Sequence, residues 1–121
     1  MSTKTLNFFP YYEPYLRLGR KTTTLRLGNP TELMPGQDVM LTVGWQEELA
    51  RPLHVARVKA VYQKPIGQLT GEDLDGESPD CASAEAARLV LGAIYRTVLT
   101  ESESIYVIKF EHAGPRSSPL T

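Results

Sequence analysis

Between Gly19 and Arg26 the chain reads Gly-Arg-Lys-Thr-Thr-Thr-Leu-Arg, which gathers one lysine, three hydroxyls and two guanidinium groups into eight residues. Arg17 adds another cation just upstream. A threonine hydroxyl attacks a carbonyl at neutral pH only if a base takes its proton, and a lysine serves as that base only when its pKa falls from about 10.4. Neighbouring cations and burial both push in that direction, and Arg20 and Arg26 supply the cations. In a regular strand Lys21 and Thr24 would face opposite sides, because their separation is odd. A turn after Gly19 frees the lysine stem to swing to the threonine face. The chemistry open to such a pair is acyl transfer. A solvated basic turn followed by threonines suited to a strand accounts for the same residues, and their types alone leave both readings open.

Other reactive side chains form less coherent sets. His54 and His112 are far apart in sequence and have no local carboxylate or thiol pattern of a metal site. Cys81 is the single cysteine, which excludes an internal disulfide and a multi-thiolate zinc site. The acidic run Glu72, Asp73, Asp75, Glu77 and Asp80 could hold a general acid, although such runs are commonly solvated faces. Trp45 and Tyr62 could stack a base or simply pack.

These residues need elements to position them. Leu6 to Phe9 is a short apolar stretch, and Tyr11 to Leu18 has the spacing of a short helix that Gly19 stops, with Pro14 in its first turn. Thr22 to Leu27 reads as a strand with Thr22, Thr24 and Arg26 on one face and Thr23, Leu25 and Leu27 on the other. Gly28-Asn-Pro30 and Pro35-Gly36 punctuate a loop before a strand from Asp38 to Val43 that buries Val39, Leu41 and Val43. Leu53 to Gln63 is a long strand whose face of His54, Ala56, Val58, Ala60 and Tyr62 contrasts with Arg57 and Lys59. Thr70-Gly-Glu-Asp73 has capping-box spacing. Ser83 caps a longer helix with a buried stripe of Ala84, Ala87, Leu91, Ile94 and Val98. A last strand runs from Ile105 to Phe110.

At 121 residues, 41% apolar and 22% charged, the chain has ordinary globular usage and the size of one domain. No apolar run approaches the roughly 20 residues of a membrane-spanning helix. The N-terminus has no apolar core of a secretory signal, so a cytoplasmic location is expected. A net charge of −1 removes overall electrostatics as a driver of polyanion binding, so a nucleic acid would have to be met locally.

Taken together, Phe8-Phe9, the short helix, Gly19-Arg-Lys-Thr-Thr-Thr-Leu-Arg26, Pro35-Gly-Gln-Asp-Val39 and Ile105-Tyr-Val-Ile-Lys-Phe110 resemble the ASCH domain superfamily, from about Leu6 to Glu111. Within it the chain looks most like the small bacterial N4-acetylcytidine amidohydrolases. The resemblance implies an α+β, mostly β domain: a PUA-like (ASCH) β-barrel with short helices at the rim and one longer helix. It would occupy residues 1–113, with 114–121 as a flexible tail. It implies removal of the acetyl group from N4-acetylcytidine or a related N-acylated nucleoside, without cofactor, metal or membrane. Lys21 would act as base, Thr24 as nucleophile and Glu77 as proton donor, the last placed by its distance from Leu69-Thr70, with Glu72 as the other possibility. Arg20, Arg26 and Tyr62 are the expected substrate-binding residues. The alternative is an RNA-binding or RNA-cleaving module using the same basic cleft, with phosphates held by Arg17, Arg20, Lys21 and Arg26. The prolines at 10 and 14, Ser78 to Ala82 and the 96–104 connection depart from the branch and border the expected cleft.

Overall fold

The computed structural model describes residues 4–29 and 32–112. The loop position Pro30 and the tail 114–121 lie outside the described residues. Five strands, β1 (Lys4–Phe8), β2 (Thr23–Arg26), β3 (Asp38–Val43), β4 (Arg51–Pro65) and β5 (Ser104–His112), form one sheet in the order β1-β3-β4-β5-β2. The β1 and β3 pair is parallel and the other pairs are antiparallel. The sheet curls into a half-barrel that is closed by a side chain rather than by strand pairing. Arg26 on β2 donates from Nη2 to the Asn7 carbonyl on β1 at 2.6 Å.

Alternation explains the core. Val39, Leu41 and Val43 are buried along β3, as their period of two requires, and join Leu6, Phe8, Leu16, Ala56, Val58 and Phe110 in one apolar cluster. A second cluster lies under α3 (Ala84–Tyr95) and contains Leu25, Ile66, Ala87, Leu91, Ile105 and Val107. At roughly 1.5 to 3 kcal/mol for each fully buried large aliphatic side chain, these two clusters outweigh any single polar contact in the fold.

Three expectations need correction. The expected face of β4 does not run through to Tyr62, because the register with β5 shifts between Val58 and Ala60. The extra residue reverses parity, so Val61 packs with the cluster of Ala56 and Val58 while Tyr62 packs with the other. The stripe of α3 stops short of Val98, which is 86% exposed. Arg96 takes a left-handed conformation (φ 55°) and Thr97 N–H bonds the Gly92 carbonyl, which ends the helix at Tyr95. The first helix is split into a 3₁₀ turn at Pro10–Tyr12 and α1 (Glu13–Arg17), with Pro14 in the first turn of α1.

The capping box forms as spelled. Thr70 Oγ1 accepts from Asp73 N–H, and the Asp73 carboxylate returns to Thr70 N–H at the start of α2 (Gly71–Leu74). Ser83 caps α3 by accepting from Ala86 N–H.

Candidate active site

The residues after α1 fold back at Gly19 (φ 73°), and the Tyr15 carbonyl accepts from both Arg20 and Lys21 N–H at 2.9 and 3.1 Å. Lys21 therefore sits on a turn rather than in a strand, and its stem is free of strand parity. Thr22 and Thr23 fasten a distant loop. Their N–H groups both donate to the Gly76 carbonyl (2.8 and 3.1 Å), and Thr23 Oγ1 donates to the Asp75 carbonyl at 2.5 Å. Lys109 on β5 adds bonds to the Glu72 and Asp73 carbonyls at the end of α2. Gly76 has φ 87°, and a Cβ there would lie 2.1 Å from Thr22 Oγ1. The loop after α2 is thus stitched to β2, and the next residue is Glu77.

Glu77 and Lys21 meet in a buried ion pair whose side chains are 4% and 3% exposed. Lys21 Nζ also donates to the Thr23 carbonyl at 3.0 Å, and Glu77 Oε1 accepts from Ser78 N–H at 2.6 Å. Burial lowers the pKa of Lys21, while the charge and hydrogen bond of Glu77 pull it back up. The Nζ lies 5.0 Å from the ring centre of Tyr12 and 5.7 Å from that of Phe8.

These groups open onto a cleft of about 340 Å³, the size of a small-molecule site. Lys21, Thr24, Arg26 and Glu77 line it together, along with Phe8 and Tyr12. Arg26 Nε donates to Thr24 Oγ1 at 3.3 Å, and its guanidinium stacks 4.9 Å from the Phe8 ring centre. Tyr12 donates to Asp80 Oδ2 at 3.0 Å, and burial, then Asp80, keeps its phenol firmly protonated. Cys81 also borders the cleft, where burial pushes its thiol up and away from the reactive thiolate. At the mouth, Trp45 is 71% exposed and lies 5.2 Å from Phe9, ring centre to ring centre.

Of the expected residues, the structure brings Lys21, Thr24, Arg26 and Glu77 into one cleft and leaves Arg20 and Tyr62 outside it. Arg20 is exposed on the turn. Tyr62, displaced by the β4 bulge, donates to Asp73 and faces a different concavity together with Glu72. The histidines are not separate in space. Because β4 pairs with β5, His54 Nε2 and His112 Nδ1 lie 2.6 Å apart, and His112 Nε2 meets the Lys21 carbonyl at 2.9 Å. Among the described residues no group of three or more His, Cys, Asp or Glu side chains converges as a metal site. Asn7 and Tyr12 carry no local signal of a site and reach the cleft through long-range packing, while Phe8 and Asp80, noted for other reasons, join it by lining the wall and by accepting from Tyr12.

No family model matches the chain. It is 30% identical over 105 residues to an N(4)-acetylcytidine amidohydrolase of Edwardsiella ictaluri, covering 87% of this chain and 89% of that protein. Among solved structures it superposes on an ASCH domain from Lactobacillus crispatus JV V101 with a TM-score of 0.62 and 15% identity, over 90% and 79% of the two chains. A DUF984 family protein of Enterococcus faecalis V583 gives a TM-score of 0.64 and 19% identity, over 93% and 82%. Both likenesses are of fold.

Proposed function

Because the chain belongs to the family of the N(4)-acetylcytidine amidohydrolases, with the fold of ASCH domains, we propose that it hydrolyses the acetyl amide of N4-acetylcytidine or a closely related N-acylated nucleoside. The observation that carries this reading is the buried Lys21 and Glu77 pair in one cleft with Thr24. A lysine so buried sheds its proton more readily than an exposed one, and a carboxylate in contact with it can carry that proton onward.

The proposed sequence conserves one circulating proton. Neutral Lys21 takes the Thr24 hydroxyl proton as Oγ1 attacks the acetyl carbon, and the carbonyl electrons move to oxygen. On collapse the bond to N4 breaks, and the proton on the Lys21 ammonium passes through the Glu77 carboxylate to N4, leaving Lys21 neutral again. The acetyl ester on Thr24 is then attacked by water, whose proton passes to the same pair. Acetate leaves and Thr24 Oγ1 recovers its hydrogen. Arg26, tethered to Asn7 and stacked on Phe8, holds the Thr24 oxygen in place through Nε. The exposed Trp45 ring and the half-buried Phe9 ring beside it offer faces for the pyrimidine at the mouth.

The phosphate-binding alternative keeps only Arg17 and Arg20 as exposed cations. It needs Lys21 and Arg26 turned to solvent, whereas Lys21 is 2% exposed and Arg26 is committed to the seam between β1 and β2. The test is incubation of the purified protein with N4-acetylcytidine and chromatographic detection of cytidine and acetate. Equimolar release of both is expected; an unchanged substrate peak would refute the reading.

A further inference from the structure

The two rows of backbone groups on β2 have different fates. Phe110 N–H bonds the Thr22 carbonyl at 2.9 Å, and the β2–β5 register pairs Thr24 with Ile108 and Arg26 with Tyr106. In an antiparallel ladder hydrogen-bonded pairs alternate with pairs that are not bonded. The Thr22 carbonyl and the backbone groups of residues 24 and 26 therefore face β5, the Thr22 N–H at the strand's start turning instead to Gly76, while 23, 25 and 27 point theirs across the open edge. The partners confirm this alternation. Thr23 N–H donates to Gly76 and its carbonyl accepts from Lys21 Nζ, and Leu27 N–H donates to the Tyr95 hydroxyl at 3.3 Å. Leu25 lies between them and lines the cleft. Its N–H is the next group along the edge after the carbonyl that holds Lys21.

We propose that the Leu25 N–H, projecting from the unpaired edge of β2 beside Thr24, is the donor that binds the acetyl oxygen as it becomes an oxyanion. This rests on the amide-hydrolysing reading above. The donor belongs to the peptide that joins residues 24 and 25, so it is attached directly to the residue bearing the attacking oxygen. An N–H one residue beyond the nucleophile is a recurrent solution for oxyanion binding in unrelated acyl-transfer sites, because the tetrahedral oxygen forms next to that peptide. The edge strand fixes the donor's direction, and the Phe8, Leu91 and Ile94 side chains give it apolar surroundings, in which a preorganised dipole acts more strongly than in bulk water. When Thr24 Oγ1 bonds to the acetyl carbon, the displaced electron pair on oxygen meets this N–H. When the bond to N4 breaks, the carbonyl re-forms and the interaction weakens again.

Leu25→Pro deletes this N–H without removing a ladder bond to β5, and an edge strand tolerates proline at such a position. A second variant keeps the leucine side chain by replacing Leu25 with its α-hydroxy acid, which turns the amide into an ester. The same ester at Leu27 controls for the weakened neighbouring carbonyl. With N4-acetylcytidine, the Leu25 ester is expected to lower kcat by on the order of 100- to 1,000-fold with little change in KM, while the Leu27 ester stays within about 3-fold of the unaltered protein. Full kcat in a folded Leu25 ester, or equal losses at 25 and 27, would overturn the assignment and leave the amidohydrolase reading standing. No turnover by the unaltered protein would overturn both.

Discussion

At the level of single residues the account rests on how the protonation of Lys21 is balanced. Burial favours the neutral amine and Glu77 favours the ammonium, a balance that in the proposed mechanism lets Lys21 take a proton and later return it. If neutral Lys21 is the active form, kcat/KM rises with pH as the amine deprotonates, and the rise lies below the ordinary lysine value of 10.5. Glu77→Gln removes the group that pulls the pKa upward. The rising limb should then move to lower pH, while kcat falls for want of a proton donor; a pH–rate profile of the two proteins shows whether it does. Lys21→Arg keeps the positive charge but offers no base at any accessible pH. Its turnover should fall about 100- to 10,000-fold, and steady-state kinetics on folded protein would expose a purely electrostatic role if activity persisted.

At the scale of elements, the threonine run divides its labour. Thr24 faces the cleft, while Thr22 and Thr23 fix the 75–77 loop, so Glu77 stands where β2 puts it. Gly76→Ala introduces a methyl within 2.1 Å of Thr22 Oγ1 at a positive φ. The loop must move, and we expect a loss of about 1–3 kcal/mol of stability together with a larger fall in kcat than in KM, measured by denaturant titration and kinetics. Asp73 anchors the same loop from below. Burial tends to raise its pKa, but bonds from Lys64, Tyr62 and Thr70 outweigh this and hold the carboxyl below its ordinary 3.8. A depressed carboxyl contributes stability above its unfolded pKa and loses it as the pH falls from about 4 toward the folded value. Asp73→Asn should therefore destabilise the protein at neutral pH by about 2–3 kcal/mol and flatten its acid-unfolding limb below pH 4. Equal melting-temperature losses for both proteins across that range would argue against the network.

For the whole molecule, legibility in the sequence followed the range of the interactions involved. The β3 alternation, the Thr70 capping box and the Ser83 cap are local, and each appears where its spelling placed it. Lys21 and Thr24 are three residues apart, and a glycine-led turn was enough to anticipate that they could share a cleft. The β4 bulge was invisible because an extra residue in a strand alters no residue type, and it carried Tyr62 to the other cluster. The His54 and His112 contact, the Tyr12 bond to Asp80 and the Arg26 bond to Asn7 depend on strand order, which no local pattern encodes. The closing of the half-barrel by Arg26 also sets its electrostatics. With the central cations buried or tethered and a net charge of −1, turnover of an uncharged nucleoside should change less than about 2-fold between 50 mM and 200 mM salt, whereas phosphate-driven binding would weaken steeply. The mechanism routes no step through a metal, and turnover should survive a chelator.

The most direct test of the central claim is the rate of cytidine formation from N4-acetylcytidine by the unaltered protein, Thr24→Ala and Lys21→Ala, with circular dichroism confirming that all three are folded. The account predicts turnover by the unaltered protein and a loss of at least about 100-fold in each variant. Undiminished cytidine release by a folded Thr24→Ala protein would contradict it.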